Sequence, residues 1–522
     1  MLRPLTALSE RIPKALLPCF LLAVFIFLYL KTFIFPAVPI YQGANAPVFL
    51  LEARRMLDGQ IIYRDFFELV FPGMPLTYAA LFKLFGVKAW IPAALLAVAG
   101  TALAWLSVVI SRKLVGGALV YLPGALYVTL ALGNALDATH HWISILALMA
   151  ALAVIVEVRS PARLLAAGML CGVATCFTQS RGALCLVAFS AFLLWERQTK
   201  KQDLKWLAQR EGGLLAGYLL ASLPPVLYFG LKAGFGRFFY CTFAFVTRYY
   251  SSFDRNNLGV FMVDVPEMKG ILLVPAIAIW LFIHLVAPLI YILLLVRYAR
   301  KPAGADSRPW DRLMLVNSLG LAFFLAIVSA PNWFKVASAS LPALILLAWF
   351  LDSPGRFPQV ARGLLGLAAL GVGLATPLIT QFDWHGVLET PVGRVAVLDA
   401  DRSDKYQWVL ERTRPGESIL EAGDTDLYFL CGLENPTETA FLTPTDYTRP
   451  EQVERAVAAL QQGVPMVLWS PWLDLPDNRH RAGDHLGALR ASLRDSYRVV
   501  KTFRDGDQMW ERKVGGRDRK VP

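Results

Sequence analysis

YQGANAPVFLLEARRMLDGQIIYRDFFELVFPGMP, residues 41–75, is the first place in the chain where acids, bases, aromatics and turn formers occur together. It lies between two long apolar runs. Ala46 to Leu57 has helical periodicity, with Phe49, Ala53, Met56 and Leu57 on one side and Glu52, Arg54, Arg55 and Asp58 facing elsewhere. Pro47 suits a first helical turn and Gly59 a C-terminal stop. The expectation is a short amphipathic helix lying on a membrane surface. The cluster Tyr63-Arg64-Asp65-Phe66-Phe67-Glu68 follows, ahead of Pro72-Gly73. Taken alone it reads as an interfacial loop with anchoring aromatics and solvated charges.

Composition sets the class. The chain has 522 residues, 56% hydrophobic and 17% charged, with a mean hydropathy of +0.49. A soluble protein of this length carries more charge. Apolar runs long enough to cross a bilayer recur, so the chain reads as a polytopic α-helical membrane protein. The first run, Leu16 to Phe35, is too long for a signal-peptide core and reads as a retained span. The net charge of +12 is unevenly spread. Residues 1–382 hold 32 of the 51 Lys and Arg and 16 of the 39 Asp and Glu, whereas residues 383–522 are net acidic. The basic excess therefore sits in the membrane part, where orientation bias and anionic lipid account for it, and no nucleic-acid partner is implied. The six cysteines give no disulfide framework.

Beyond the first run, spans are expected at 88–111, 115–133, 140–157, 163–178, 182–196, 213–231, 271–297, 312–330, 336–352 and 361–381, eleven in all. Residues 72–85 read as a half-length or re-entrant helix; a full crossing there raises the total, for a range of about 11–13 spans. Arg3, Arg11 and Lys14 place the N-terminus in the cytoplasm. Short loops assigned to that side carry most of the Lys and Arg, while the short outer loops carry only Arg181 and Lys335. The odd count puts 36–75, 232–270 and 383–522 outside. Residues 383–522 are soluble in composition, and the tail after Gly515 reads as disordered. They alternate helical stretches (403–412, 450–461, 485–495) with strands (418–422, 466–470, 497–503, 508–512), the pattern of a small extramembrane α/β domain.

No phosphate loop, paired CxxC, HExxH or nucleophile elbow is present. The adjacent His140 and His141 would point about 100° apart on a helix and make no metal face. The placement of ionisable groups is more informative. Acids gather at the outer ends of the spans: Asp58, Asp65 and Glu68, then Asp137 in GNALDATHHW. Arg181 interrupts apolar sequence in FTQSRGAL, and charge there normally faces a polar cavity or a partner. Arg248-Tyr249-Tyr250 with Asp254-Arg255, and Lys335 in APNWFKVAS, add polar groups on the same side. As structural alternatives, Arg181 is an exposed turn residue and Lys335 a solvated one. Carboxylates opposite Arg and Lys suit one chemistry: an acceptor hydroxyl needs a base, and a lipid-linked phosphate leaving group needs cations.

The order NAPVF, EARRMLDGQIIYRDF, FPGMPL, LFKLFG resembles the C-type, polyprenyl-phosphate-sugar-dependent glycosyltransferases, in particular their bacterial family-39-like group. The resemblance covers residues 16–200, is mainly architectural from there to 382, and extends to GESILEAGDTDLYFLCGLENPTE in the C-terminal part. It implies a GT-C-like multi-span domain over 1–382, with the site formed by 36–75 and 232–270, and a periplasmic or extracellular α/β domain over 383–522. It implies inverting transfer of a hexosyl or pentosyl group from a polyprenyl-phosphate donor to a lipid, glycan or protein hydroxyl, outside a bacterial inner membrane. Where that group has an acid at the start of the first outer loop, this chain has Asn45. The Y-R-D-F context is intact, which puts the catalytic role on Asp65, with Asp137 converging from the next outer turn. Asn45, Arg55, Tyr63, Arg64, Glu68, His140, Arg181, Arg248, Tyr249 and Lys335 are the expected substrate contacts. A divalent cation, Mg or Mn, is compatible with the resemblance but not required by the sequence. The competing readings are a transporter or flippase, which the lack of midplane carboxylates disfavours, and a non-catalytic cell-envelope assembly protein, which Asn45 would suit.

Overall fold

A computed structural model of the chain describes residues 15–253, 256–263, 273–301, 307–474 and 483–513. Arg3, Arg11, Lys14, Asp254, Arg255 and the tail after Gly515 lie outside the described residues.

Every apolar run of the sequence is helical where described. Among the described residues, six helices are long and apolar enough to cross a membrane: Trp90–Ser111, Gly117–Asn134, Leu204–Ala233, Leu273–Ala299, Trp310–Ile327 and Arg356–Phe382. Trp333–Ala339 and Leu341–Leu351, bent by 53°, make a seventh if they count as one span. The expected eleven is therefore more than length and composition support. Leu16–Thr32, His140–Ile155 and Pro161–Phe177 are apolar but have 17, 16 and 17 residues. At 1.5 Å per residue they reach about 24–26 Å, short of a hydrocarbon core of about 30 Å. Gln179–Lys200 is long enough but carries Arg181, Glu196, Arg197 and Lys200. Gly73–Phe85, with 13 residues, has the half-length expected of it.

Backbone contact between small residues holds the closest helix pair. A Cβ on Gly168 would lie 2.0 Å from the Leu214 carbonyl oxygen, and one on Gly217 would lie 2.0 Å from that of Leu165. Pro161–Phe177 thus seats directly on Leu204–Ala233. Without water to drive apolar association in a bilayer, such close approach is what dispersion needs. At one end of the bundle the charges neutralise each other: Arg159 pairs with Glu196 at 2.8 Å, Lys200 with Asp311 at 2.5 Å and Lys113 with Glu157 at 2.6 Å.

The C-terminal residues form a four-stranded sheet in the order Ile419–Glu421, Met466–Trp469, Gln508–Arg512, Tyr497–Thr502. The first pair is parallel and the rest antiparallel. Helices Ala400–Leu410, Pro450–Gln461 and Gly487–Ser496 match the expected ones within a few residues. The hairpin Gly386–Thr390/Gly393–Val397 and the short helix Asp426–Leu430 were not expected.

This domain is sewn to the 36–75 segment rather than tethered to the bundle. Backbone bonds run from Tyr41 N to Ala396 O (2.9 Å) and from Phe67 N to Glu438 O (2.9 Å). Phe49, Leu50, Met74 and Phe82 share one apolar cluster with Leu388, Val395, Leu427 and Phe429. Ala46–Leu57 forms as its periodicity and Pro47 predict, but it does not lie on a membrane surface. Glu52 is 1% exposed and Arg55 7%. The helix is clamped between bundle and domain, and its charged side finds backbone carbonyls. Arg54 Nη1 donates to Tyr428 O (2.7 Å), and Arg55 Nη2 donates to Asn435 O (2.9 Å) and Thr437 O (2.6 Å).

Replacing Gly217 with Ala is expected to lower the thermal unfolding midpoint in detergent, because the methyl has no space; overpacking costs about 1–3 kcal/mol. Gly366→Ala, on a helix where nothing lies within 4 Å of a Cβ, is expected to leave the midpoint unchanged or raise it.

Candidate functional site

A cavity of about 1200 Å³ opens between the helical bundle and the C-terminal domain. Its floor comes from the bundle: Asn45, Phe49 and Glu68 of the 36–75 segment, then His140, His141, Gln179, Arg181 and Lys335. Val246, Tyr250, Phe253 and Asn256 of the 232–270 stretch supply one side. The roof is Arg402, Asp424, Thr425, Phe441, Tyr447, Gln452 and Trp472 of the domain.

The expected site residues divide into two sets. Asn45, Glu68, His140, Arg181 and Lys335 reach the cavity. Asp65, Asp137, Arg55, Tyr63, Arg64, Arg248 and Tyr249 are not among its lining residues. Asp65 is an exposed turn residue. Its carboxylate accepts from Ile61 N at 2.7 Å and from Arg64 Nε and Nη2 at 2.9 and 2.8 Å, and the Arg64 guanidinium holds it below the usual carboxylate range. The Y-R-D-F context that singled it out is a surface ion pair. Arg55 is spent on the domain's carbonyls, with Phe66 5.5 Å beneath its guanidinium. Tyr63 is buried at a left-handed φ of +70°, its hydroxyl donating to Val70 O at 2.7 Å. Tyr249 stacks under the Arg449 guanidinium at 3.9 Å, and Arg248 is exposed.

Asp137 does converge on the 36–75 segment, but as an anchor. Its Oδ2 accepts from Asn45 N and Nδ2, both at 3.0 Å, and its Oδ1 from Ala46 N at 2.9 Å. It thereby satisfies the free amides that open the Ala46–Leu57 helix. Burial outweighs these three donors and lifts its pKa to about 6.

Glu68 lines the cavity while its Oε1 accepts from Leu69 N and Val70 N, each at 2.7 Å. Glu52 sits behind it. Burial, then the Glu68 charge, push Glu52 far above the usual carboxylate range, and neither of its buried oxygens has a hydrogen-bond partner. Arg181 is fully buried: Nη1 donates to His141 O (3.1 Å) and Ser144 Oγ (3.0 Å), and Nη2 to Ser338 Oγ (3.3 Å). Its Nε and the Nδ1 atoms of His140 and His141 are buried without a hydrogen-bond partner. Lys335 Nζ donates to Tyr250 Oη at 3.0 Å. A cationic wall with unpartnered nitrogens thus faces the same space as the carboxylates of Glu68 and Asp424. No group of three or more His, Cys, Asp or Glu among the described residues is arranged to hold a metal ion.

Sequence reasoning missed the whole roof. Arg402 and Asp424 lie in a region read as a separate domain, and nothing local to them signals a cavity. Asp424 does fall within the GESILEAGDTDLYFLCG stretch of the resemblance.

No protein-family model matches the chain, and no curated protein sequence matches it. Solved structures match its fold. ArnT from Cupriavidus metallidurans bound to undecaprenyl phosphate superposes with a TM-score of 0.61 at 14% identity, over 97% of this chain and 99% of that one. The same protein in the apo state gives 0.61 at 15%, over 95% and 97%. The Archaeoglobus fulgidus oligosaccharyltransferase in the apo form gives 0.51 at 11%, over 90% and 73%. The chain therefore has the polytopic fold of these structures.

Asp137→Ala is expected to lower the unfolding midpoint, since the buried Ala46 amide loses its partner at about 1–3 kcal/mol and two half-buried Asn45 donors lose theirs. Asp65→Asn is expected to change stability by less than about 1 kcal/mol, the range of an exposed ion pair. Thermal unfolding of the two variants side by side checks both.

Proposed function

We propose that this protein is a membrane glycosyltransferase that moves a sugar from a polyprenyl-phosphate carrier to a hydroxyl acceptor in the cavity between bundle and domain, on the non-cytoplasmic side of a bacterial inner membrane. The observation that carries this reading is the cationic wall. Lys335, Arg181 Nε and two histidine nitrogens stand buried or half-buried around one cavity, and their partners in the protein are neutral or missing. An unpaired buried guanidinium N–H is costly, and an anionic phosphate is a ligand that removes the cost for Arg181. The structural neighbour with undecaprenyl phosphate bound supports a lipid-linked phosphate as that anion.

In such a transfer the acceptor oxygen attacks the anomeric carbon, the carbon–phosphate oxygen bond breaks, and its electron pair stays on the phosphate. One displacement inverts the anomeric centre. Lys335 and Arg181 stabilise the charge that grows on the departing phosphate. The aromatic faces of Phe441, Phe253 and Trp472 offer apolar surface for a sugar ring.

Purified protein with a radiolabelled polyprenyl-phosphate sugar and lipid or glycan acceptors tests the reading; labelled acceptor supports it and absence of transfer across donors sinks it. Lys335→Ala is expected to weaken undecaprenyl-phosphate binding roughly 10- to 150-fold, the loss of about 1.5–3 kcal/mol for a hydrogen bond to a charged group. Asp65→Asn is expected to transfer at the wild-type rate.

A further inference from the structure

We infer that Asp424, supplied by the C-terminal domain, is the group that takes the proton from the acceptor hydroxyl. The inference rests on the transfer reading above and assigns it a base.

Two acids line the cavity among the described residues, Glu68 and Asp424. They differ in what already holds them. Glu68 accepts from two backbone amides at one oxygen, Oε1, which ties it to its own loop. Asp424 accepts from the amide of its neighbour Thr425 at 2.8 Å, and its side chain is exposed, the space it is exposed to being the cavity. It stands on a short connection between the strand Ile419–Glu421 and the helix Asp426–Leu430. Gly423, just before it, is pressed against the roof: a Cβ there would lie 2.8 Å from Ser470 Cβ and 3.0 Å from Trp472 Nε1. A carboxylate on so fixed a connection is pre-positioned rather than mobile.

The surroundings set its basicity. Asp426, two residues on, is occupied by phenols: Tyr41 Oη donates to it at 2.8 Å, and Tyr406 Oη donates to its other oxygen. Burial by protein, then the Asp426 charge, raise Asp424 to about 7, while the Thr425 amide, Arg402 and Lys405 act the other way. Glu421, whose carboxyl accepts from Leu427 N at 2.9 Å, and the hydroxyls of Tyr41 and Tyr406 complete the titratable groups that face it. Of the two neighbouring acids, Asp426 is held by phenols and Asp424 is the freer one, open to the reaction space.

The step balances without a co-reactant. The acceptor O–H gives its proton to the Asp424 carboxylate, the oxygen forms the new bond to the anomeric carbon, and the polyprenyl phosphate departs as an anion. The proton leaves Asp424 to solvent as product is released.

Transfer is measured against pH for wild type, Asp424→Asn and Asp426→Asn, with undecaprenyl-phosphate binding and thermal midpoint recorded for each. Asp424 must be ionised to act, so wild-type kcat is expected to fall as pH drops below about 7. Asp424→Asn is expected to lose at least roughly 100-fold in kcat, the scale of general-base catalysis, with phosphate binding intact. Asp426→Asn removes the neighbouring charge and is expected to move the acidic limb down by about 1 pH unit. Near wild-type kcat in Asp424→Asn overturns the assignment, as does an acidic limb that stays put or rises in Asp426→Asn. Should Asp424→Asn not fold, the limb in wild type and Asp426→Asn decides. Absence of transfer by the wild type overturns the underlying function, and this assignment with it; transfer that survives in Asp424→Asn overturns the assignment alone.

Discussion

The Asp137 carboxylate reaches across 91 and 92 residues of chain to receive the amides of Ala46 and Asn45. It meets the positive end of the Ala46–Leu57 helix with a negative charge, in a place that water does not share. Much of the molecule hangs on where that helix sits. Its first residue turns Asn45 and Phe49 to the cavity, its middle brings Glu52 against Glu68, and its last turn hands Arg54 and Arg55 to the domain. A residue expected to do chemistry pins the start of this helix in place.

The helices were legible because a bilayer constrains them: apolar runs of span length leave a mark in composition, and each run seen in the sequence is a helix. How many of them cross was less legible, because Leu16–Thr32, His140–Ile155 and Pro161–Phe177 end at the limit of what spans, and a residue or two at each end decides it. The position of Ala46–Leu57 was illegible for another reason. Alternating charge and apolar faces look the same whether the charged face meets headgroups or backbone carbonyls. The partners of Arg54 and Arg55 lie 374 to 382 residues away, where no local pattern can announce them. The setting of Asp65 was illegible in a similar way: an acid in a recognisable context has no signature that separates a surface pair with Arg64 from a carboxylate in a cavity.

Of the five candidate residues that line the cavity, Glu68, His140, Arg181 and Lys335 share a trait visible in the sequence. Each is a polar side chain at the end of an apolar run, where leaving the run unbroken would have been less costly. Asp424 and Arg402 carry no such mark. In a soluble domain an acid or a base is ordinary, and only the docking of the domain onto the bundle gives these two a cavity to face.

That contrast also explains how the two ends of the bundle differ. At one end Arg159 and Lys200 meet Glu196 and Asp311, and the buried charge is neutralised by the protein itself. Such an arrangement offsets its own desolvation and has no use for a ligand. At the cavity, Arg181 meets a carbonyl and two serine hydroxyls, and Lys335 a tyrosine. Neutral acceptors hold these cations in place without cancelling their charge. Glu68 and Asp424 line the same cavity, yet neither forms a salt bridge with Arg181 or Lys335. Had the carboxylates closed onto the cations, the cavity would be a stable salt-bridged core. Held apart by the wedge of Ala46–Leu57 below and the Gly423–Thr425 connection above, the two signs leave between them a space suited to a molecule that carries a phosphate at one end and receives a hydroxyl at the other.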